Sequence, residues 1–277
     1  YPTISPASNT ALHQPDKVVL VTGAGRGIGR SIVLQYAHAG VACIILCART
    51  GSELNEVESA IKEITPEVRI LKYTIDATSE EGVANIAQEV EEKEGRLDIL
   101  INNAGYSSPW VPIASTNPTS WWSTFEVNLK APYLFLHAFL PLLTATAEKY
   151  GKGANVINLS SVGAHVVMPD ASAYQTSKFA VLRLGEFVHA EYSAKGVTCV
   201  AVNPGGVPTA LSTQEERLKP FLNDTPDLCG GFLVWLTAKE RKWLGGRYVS
   251  ATWDADVLEG MEGEIVEGDM LVVKMVV

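Results

Sequence analysis

Lys17-Val18-Val19-Leu20-Val21-Thr22-Gly23-Ala24-Gly25-Arg26-Gly27-Ile28-Gly29 joins a short apolar run to a glycine-rich turn. Val18–Val21 carries no polar residue, which fits a parallel strand buried on both faces. The turn then opens a helix that runs to about Ala39 and stops at Gly40. Glycines in such a turn let a ligand approach the backbone closely. The helix start offers free N–H groups and the positive end of its dipole. The spacing Gly23, Gly27, Gly29 is not G-x-G-x-x-G, because position 28 is Ile. A tight ligand-free turn would use the same glycines. The strand before and the helix after favour a dinucleotide pyrophosphate cradle formed by Gly23, Arg26, Gly27, Ile28 and Gly29.

The same alternation runs outward along the chain. Val41–Cys47, Arg69–Thr74, Leu97–Ile101, Asn155–Leu159 and Val197–Val202 read as strands, and Arg247–Val249 as a short last one. Ser52–Ile64, Glu80–Glu94, Thr119–Thr146 and Ala171–Ser193 have helical spacing, with Pro132 tolerable in the third of these only through a local kink. Thr209–Lys242 reads as a flexible segment and two helices, Val257–Val266 as helical, and Met270–Val277 as an apolar end. Strands alternating with helices predict an α/β fold: a Rossmann-type doubly wound parallel sheet with helices on both faces. The expected organisation is an irregular arm over 1–16 and a single domain over 17–277, with a substrate loop near 208–230.

Composition narrows the partners. The 277 residues are 47% hydrophobic and 19% charged, ordinary for a globular chain, and the net charge of −9 disfavours a nucleic-acid backbone. Cys43, Cys47, Cys199 and Cys229 form no C-x-x-C pair; three lie in strand-like runs and read as buried thiols, with no metal site. No stretch approaches a membrane span, and the first sixteen residues lack the apolar core of a signal peptide, so a cytoplasmic protein without membrane contact is expected.

Cofactor preference is readable where the second strand ends. Cys47-Ala48-Arg49-Thr50 has no acid there to bond ribose hydroxyls. The planar fork of Arg49 suits a phosphate, and Arg26 adds a second positive charge. NADP(H) is therefore expected over NAD(H). Asp76, with Ala77, follows the third strand; it is either a turn-capping carboxylate or an acceptor for the adenine amine. Asn103-Ala104-Gly105 follows the fourth strand, at the edge where such sheets bind their ligands.

Tyr174-Gln175-Thr176-Ser177-Lys178 lies in the Ala171–Ser193 helix, so Tyr174 and Lys178 share one face, a turn apart. A nearby ammonium favours the phenolate, which predicts a Tyr174 pKa below its usual value of about 10. Such a tyrosine can exchange a proton with a substrate oxygen. A solvated i,i+4 surface pair is the bland alternative.

Taken in order, Thr22–Gly29, Asp76, Asn102–Gly105, Asn128, Ser160-Ser161, Tyr174-x-x-x-Lys178 and Asn203-Pro204-Gly205 resemble the short-chain dehydrogenase/reductase family over nearly the whole chain. Gly246–Ser250 followed by Trp253-Asp254 is similar to a fungal branch of it. The resemblance implies that Ser161 holds the substrate oxygen and Tyr174 moves the proton. It implies that Lys178 bonds the nicotinamide ribose, and that Asn128 anchors a water connecting Lys178 to solvent. It places Pro204, Gly205, Val207 and Thr209 at the nicotinamide. It also implies a homodimer or homotetramer packed through the two long helices.

Tyr106, Trp110, His165 and Met168 are candidate substrate residues, an apolar and aromatic set without a fixed cationic cluster, which suits a medium apolar ketone or alcohol. The expected activity is carbonyl reduction with NADP(H). The alternatives are an NAD(P)-dependent alcohol dehydrogenase working mainly in oxidation and a non-catalytic NADP(H)-binding sensor or scaffold.

Overall fold

The computed structural model describes residues 2–275. Seven strands form one parallel sheet in the order β3-β2-β1-β4-β5-β6-β7: β1 Val18–Thr22, β2 Cys43–Ala48, β3 Arg69–Thr74, β4 Ile99–Asn102, β5 Ala154–Leu159, β6 Val197–Asn203 and β7 Tyr248–Ser250. The order reverses between β1 and β4, where β1 pairs Val19 with Ile99 on one side and Val18 with Cys43 on the other. A crevice at the carboxyl ends of the strands follows from that reversal.

Successive residues of each central strand face opposite layers. Val19, Val21, Ile44, Leu46 and Ile101 pack beneath α1 (Gly27–His38) and α7 (Pro226–Ala238), where Phe232 and Tyr36 are fully buried. The Tyr36 hydroxyl donates to the Leu233 carbonyl at 3.1 Å and lies 2.8 Å from Thr237 Oγ1, tying the two helices together. On the other face, Leu20, Ile45, Leu100 and Val156 meet Phe135, Phe139 and Leu143. Each such side chain contributes about 1.5–3 kcal/mol by leaving water.

Most expected elements appear within two residues of their expected bounds, including α2 (Gly51–Ile64), α3 (Glu80–Glu94) and α6 (Ser172–Tyr192). The long helix expected over Thr119–Thr146 is corrected. It is α4 (Pro118–Phe125), a π turn over Glu126–Lys130, and α5 (Ala131–Tyr150). The Ala131 N–H reaches back five residues to the Glu126 carbonyl. Pro132 then falls in the first turn of α5, where its missing N–H removes no essential bond. The π winding also turns Asn128 into the interior, where it is 1% exposed.

The arm is less irregular than expected. It forms two single turns of 3-10 helix, Pro2–Ile4 and Thr10–Leu12, and Ile4 and Leu12 join the core against α7. Gln14 follows, donating to the Val234 carbonyl at 3.1 Å. The helical stretch expected over Val257–Val266 is two short helices, α8 (Ala255–Gly260) and α9 (Glu262–Glu267). Of the apolar end, Val276 and Val277 lie outside the described residues; Leu271 accepts the Tyr248 N–H at 2.8 Å along the sheet edge. All four cysteines are buried and free, and no helix among the described residues is long and apolar enough to cross a membrane.

Candidate active site

The glycine turn is built around two left-handed residues, Gly23 (φ +65°) and Gly27 (φ +55°), which a larger side chain would strain. A Cβ on Gly29 would collide with the Gly23 carbonyl, so the turn closes tightly only with glycine there. Ile28 is half-buried against the core. The residue preceding α1, Arg26, makes no side-chain cap, leaving the first-turn N–H groups open. Such a cradle fits a pyrophosphate.

Asn103 and Ala104 are bolted to this turn. Thr22 Oγ1 accepts both of their backbone N–H groups at 3.0 Å. Asn103 Nδ2 donates to the carbonyls of Thr22, at 2.8 Å, and Gly23, at 3.2 Å. The Asn103 side chain is therefore spent on holding two loops together. Gly105 continues the same edge, where a Cβ would meet Asn128, the Asn103 carbonyl and Leu211 at van der Waals distance.

Arg49 is exposed at the end of β2 and has no ion pair among the described residues. Asp76 is an Asx-type turn residue: its Oδ1 accepts the Thr78 N–H at 2.9 Å and the Thr78 hydroxyl at 2.8 Å. Those bonds, with the charge of Arg49 adding to them, hold its carboxyl below the usual carboxylate range. The cap of α3 is Ser79, which accepts the Gly82 N–H at 3.2 Å, and Ala77 lies half-buried between the two. One neighbour was missed by sequence reasoning. Glu53 lies under Gly25 and 3.7 Å from Arg26 Nη1. It stands three residues after Thr50 in a capping-box pattern, but the Thr50 side chain makes no cap bond and Glu53 turns toward the glycine loop.

Tyr174 and Lys178 project from the first turns of α6 toward the end of β5. Ser161 follows β5 and its Oγ accepts the Gly163 N–H at 3.0 Å, leaving its own proton free to donate. Its neighbour Ser160 is buried and donates to the Lys178 carbonyl at 3.0 Å. Lys178 is 5% exposed, and its ammonium makes one protein hydrogen bond, to the Leu159 carbonyl at 2.7 Å. Burial pulls its pKa down to about 8. The other N–H groups of that ammonium remain available for hydroxyl acceptors, which fits a ribose.

The expected depression of the Tyr174 pKa is corrected. Burial pushes the phenol above its usual value, opposed only by the hydroxyl of Ser161 beside it. The Lys178 ammonium lies 5.9 Å from the ring centre and is itself desolvated, so removal from water outweighs its attraction for a phenolate.

Asn128 is fully engaged as a donor. Its Nδ2 donates to the Tyr106 carbonyl at 2.9 Å and to Ser177 Oγ at 3.0 Å, and its Oδ1 accepts the Tyr106 N–H at 2.8 Å. Ser177 in turn donates to the Tyr174 carbonyl at 2.7 Å. The side chain thus ties the Tyr106 backbone to the first turn of α6 through Ser177.

The segment that the resemblance places at the nicotinamide begins at Pro204 and Gly205 (φ +93°), after which Val207 is buried. The Thr209 methyl lies against Gly27 and Leu211 against Gly105, so this segment roofs the crevice.

The four substrate candidates divide. Trp110 stands beside Tyr174, ring centres 6.3 Å apart, and Met168 is held nearby by its N–H bond to Gln175 Oε1 at 2.9 Å. His165 instead packs edge-on against Tyr248 at 4.3 Å, and the Tyr106 hydroxyl sits 3.4 Å from Ser120 Oγ on α4. A single cation does stand here, though not a cationic cluster: Arg217 lies over the Trp110 ring, 5.6 Å from its centre, and is paired with Glu215 and Asp170. Nothing near Arg217 in sequence announced this, because its second carboxylate partner, Asp170, is 47 residues away.

Comparisons with known proteins agree with this geometry. The family model described as short chain dehydrogenase matches residues 17–219. The chain is 45% identical over 282 residues to the short chain dehydrogenases mpl6 of Monascus purpureus and citE of Monascus ruber, covering 100% of this chain and 93% of each relative. Both are fungal proteins. Among solved structures, a short chain dehydrogenase from Escherichia coli CFT073 complexed with NADPH superposes with a TM-score of 0.79 at 27% identity, covering 88% of this chain and all of that one.

Proposed function

This chain belongs to the short-chain dehydrogenase family, and from that premise we propose that it is an NADP(H)-dependent carbonyl reductase with Tyr174 as its proton donor. The family makes it an oxidoreductase of the CH–OH/C=O type. The observation that carries the finer reading is the grouping of the Ser161 hydroxyl, the Tyr174 phenol and the Lys178 ammonium at one end of β5.

When bound, the nicotinamide nucleotide supplies the hydride. The glycine turn and the open N–H groups of α1 would hold its pyrophosphate, Lys178 its ribose, and Arg26 and Arg49 a 2′-phosphate. Ser161, with its oxygen already accepting from Gly163, donates its proton to the substrate oxygen and orients the carbonyl. Tyr174 carries its proton at neutral pH because burial raises its pKa, so it enters the reaction as the acid. As negative charge develops on the substrate oxygen, the Tyr174 proton moves onto it. The Lys178 ammonium steadies the resulting phenolate from one helical turn away.

The preference for NADP(H) is supported by two arginines flanking the cradle and by the absence of an acid at the end of β2. Nucleotide oxidation followed by absorbance, with NADPH and NADH against a panel of neutral ketones and aldehydes, tests the reading. Faster NADPH consumption supports it; faster NADH consumption overturns the cofactor assignment.

A further inference from the structure

Residues 206–224 form a loop pinned at its base. The Gly206 N–H donates to Asp224 Oδ2 at 2.7 Å and the Asp224 N–H returns to the Gly206 carbonyl at 2.9 Å. Its first part is stitched internally through Ser212, which donates to the Val207 carbonyl at 2.7 Å and accepts the Thr209 N–H at 2.9 Å. Its far part carries Arg217.

Arg217 makes three sets of contacts at once. Its Nε and Nη2 grip both carboxylate oxygens of Glu215, at 2.7 and 3.0 Å. Its Nη1 donates to Asp170 Oδ2 at 3.0 Å. Its planar face lies over Trp110. The Trp110 indole N–H is fixed to Ser107 Oγ at 3.0 Å, and its ring stands beside Tyr174. Asp170 has φ +77°, a conformation that non-glycine residues adopt only when their surroundings hold them, and it lies four residues before Tyr174. One side chain thus ties the loop, the turn leading into the catalytic helix and the aromatic wall beside the phenol.

We propose that Arg217 is a positioning residue for substrate, holding the Trp110 indole as one wall of the carbonyl pocket through its joint grip on Glu215 and Asp170. The proposal rests on the assignment of Tyr174 as proton donor. Two carboxylates against one guanidinium leave the cluster net negative, so the wall selects uncharged carbonyl compounds and repels those bearing a carboxylate or phosphate. The residues assigned to the pyrophosphate and 2′-phosphate, on the glycine turn and at Arg49, make no contact with Arg217, whose partners are Glu215, Asp170 and Trp110.

The test compares Arg217→Ala, Arg217→Lys, Trp110→Ala and the Arg217→Ala/Trp110→Ala double variant on a neutral ketone turned over by the wild type. Arg217→Ala raises KM about tenfold while kcat changes less than about threefold and the NADPH Kd less than about twofold. Trp110→Ala does the same, and the double variant is no worse than Trp110→Ala alone, because Arg217 acts through the indole. Arg217→Lys, which keeps the charge and loses the planar fork, recovers part of the KM. An unchanged KM in Arg217→Ala, or effects that multiply in the double variant, overturns the proposal. A second readout needs no turnover: thermolysin cleavage within 206–224 accelerates about tenfold in Arg217→Ala at unchanged Tm. Should the wild type reduce no carbonyl, the assignment of Tyr174 has failed, while accelerated cleavage still establishes the grip of Arg217 on the loop. Unchanged cleavage overturns that grip in either case.

Discussion

The Lys178 ammonium sits one helical turn from Tyr174, 5.9 Å from its ring centre, and gives its one protein hydrogen bond to the Leu159 carbonyl instead. In the proposed mechanism this geometry serves a charge that arises during reaction rather than a phenolate that exists at rest.

This arrangement has a stability signature. The folded Lys178 pKa of about 8 lies below its unfolded value, so holding the charged lysine buried costs stability, and stability rises with pH across the window where the unfolded chain binds the proton and the folded chain does not. The penalty is fully present below pH 8 and fades as pH rises toward 10.5. A depression of this size corresponds to about 3 kcal/mol, and the lost bond to Leu159 offsets about 1–2 kcal/mol. Lys178→Met is therefore expected to stabilise the protein by about 1–2 kcal/mol at pH 7, with the gain shrinking between pH 8 and 10, while abolishing turnover. Urea melts across that pH range check the sign.

Asn128 supports the site from below. Asn128→Ala leaves the Tyr106 N–H and carbonyl without their side-chain partner and removes the donor to Ser177 Oγ, which keeps its own bond to the Tyr174 carbonyl. A loss of about 2–4 kcal/mol in unfolding free energy is expected, with kcat falling more than the NADPH affinity. Denaturant titration and nucleotide binding measured on the same preparation separate the two effects.

Glu53 lies 3.7 Å from Arg26 Nη1, so under the proposed NADP(H) reading it would compete with the 2′-phosphate for that guanidinium. Glu53→Gln is expected to tighten NADPH binding about two- to fivefold with little change for NADH, and Arg49→Ala to weaken NADPH binding about tenfold. Both effects diminish at high salt, and paired titrations at low and high ionic strength read them. Equal changes for both nucleotides would remove these two residues from phosphate recognition.

Local pattern carried a large part of the fold. The bounds of β3 and α3 follow directly from their apolar spacing, and the parallel sheet with helices on both faces follows from strands alternating with helices. The break at Glu126–Lys130 was not legible, because π winding leaves the apolar periodicity nearly unchanged while shifting hydrogen bonds by one residue. The sign of the Tyr174 shift was not legible either. Helical spacing reports that Lys178 is near, but burial of both groups is a property of the assembled fold. Arg217 was hidden for a related reason: a charged residue in a loop reads as solvated until a distant Asp170 and Trp110 are brought to it. Ile4 and Leu12 are isolated apolar residues in a polar arm, and only α7 gives them something to pack against.

The most direct test of the central claim is the single-turnover rate of Tyr174→Phe with NADPH and a neutral ketone, measured beside its NADPH Kd. The expected rate is lower by about a thousandfold with a Kd within about twofold of wild type, because the phenol hydroxyl supplies the proton while Lys178, the glycine turn and the two arginines keep most of the nucleotide contacts. A variant that retains more than about a tenth of the wild-type rate would contradict it.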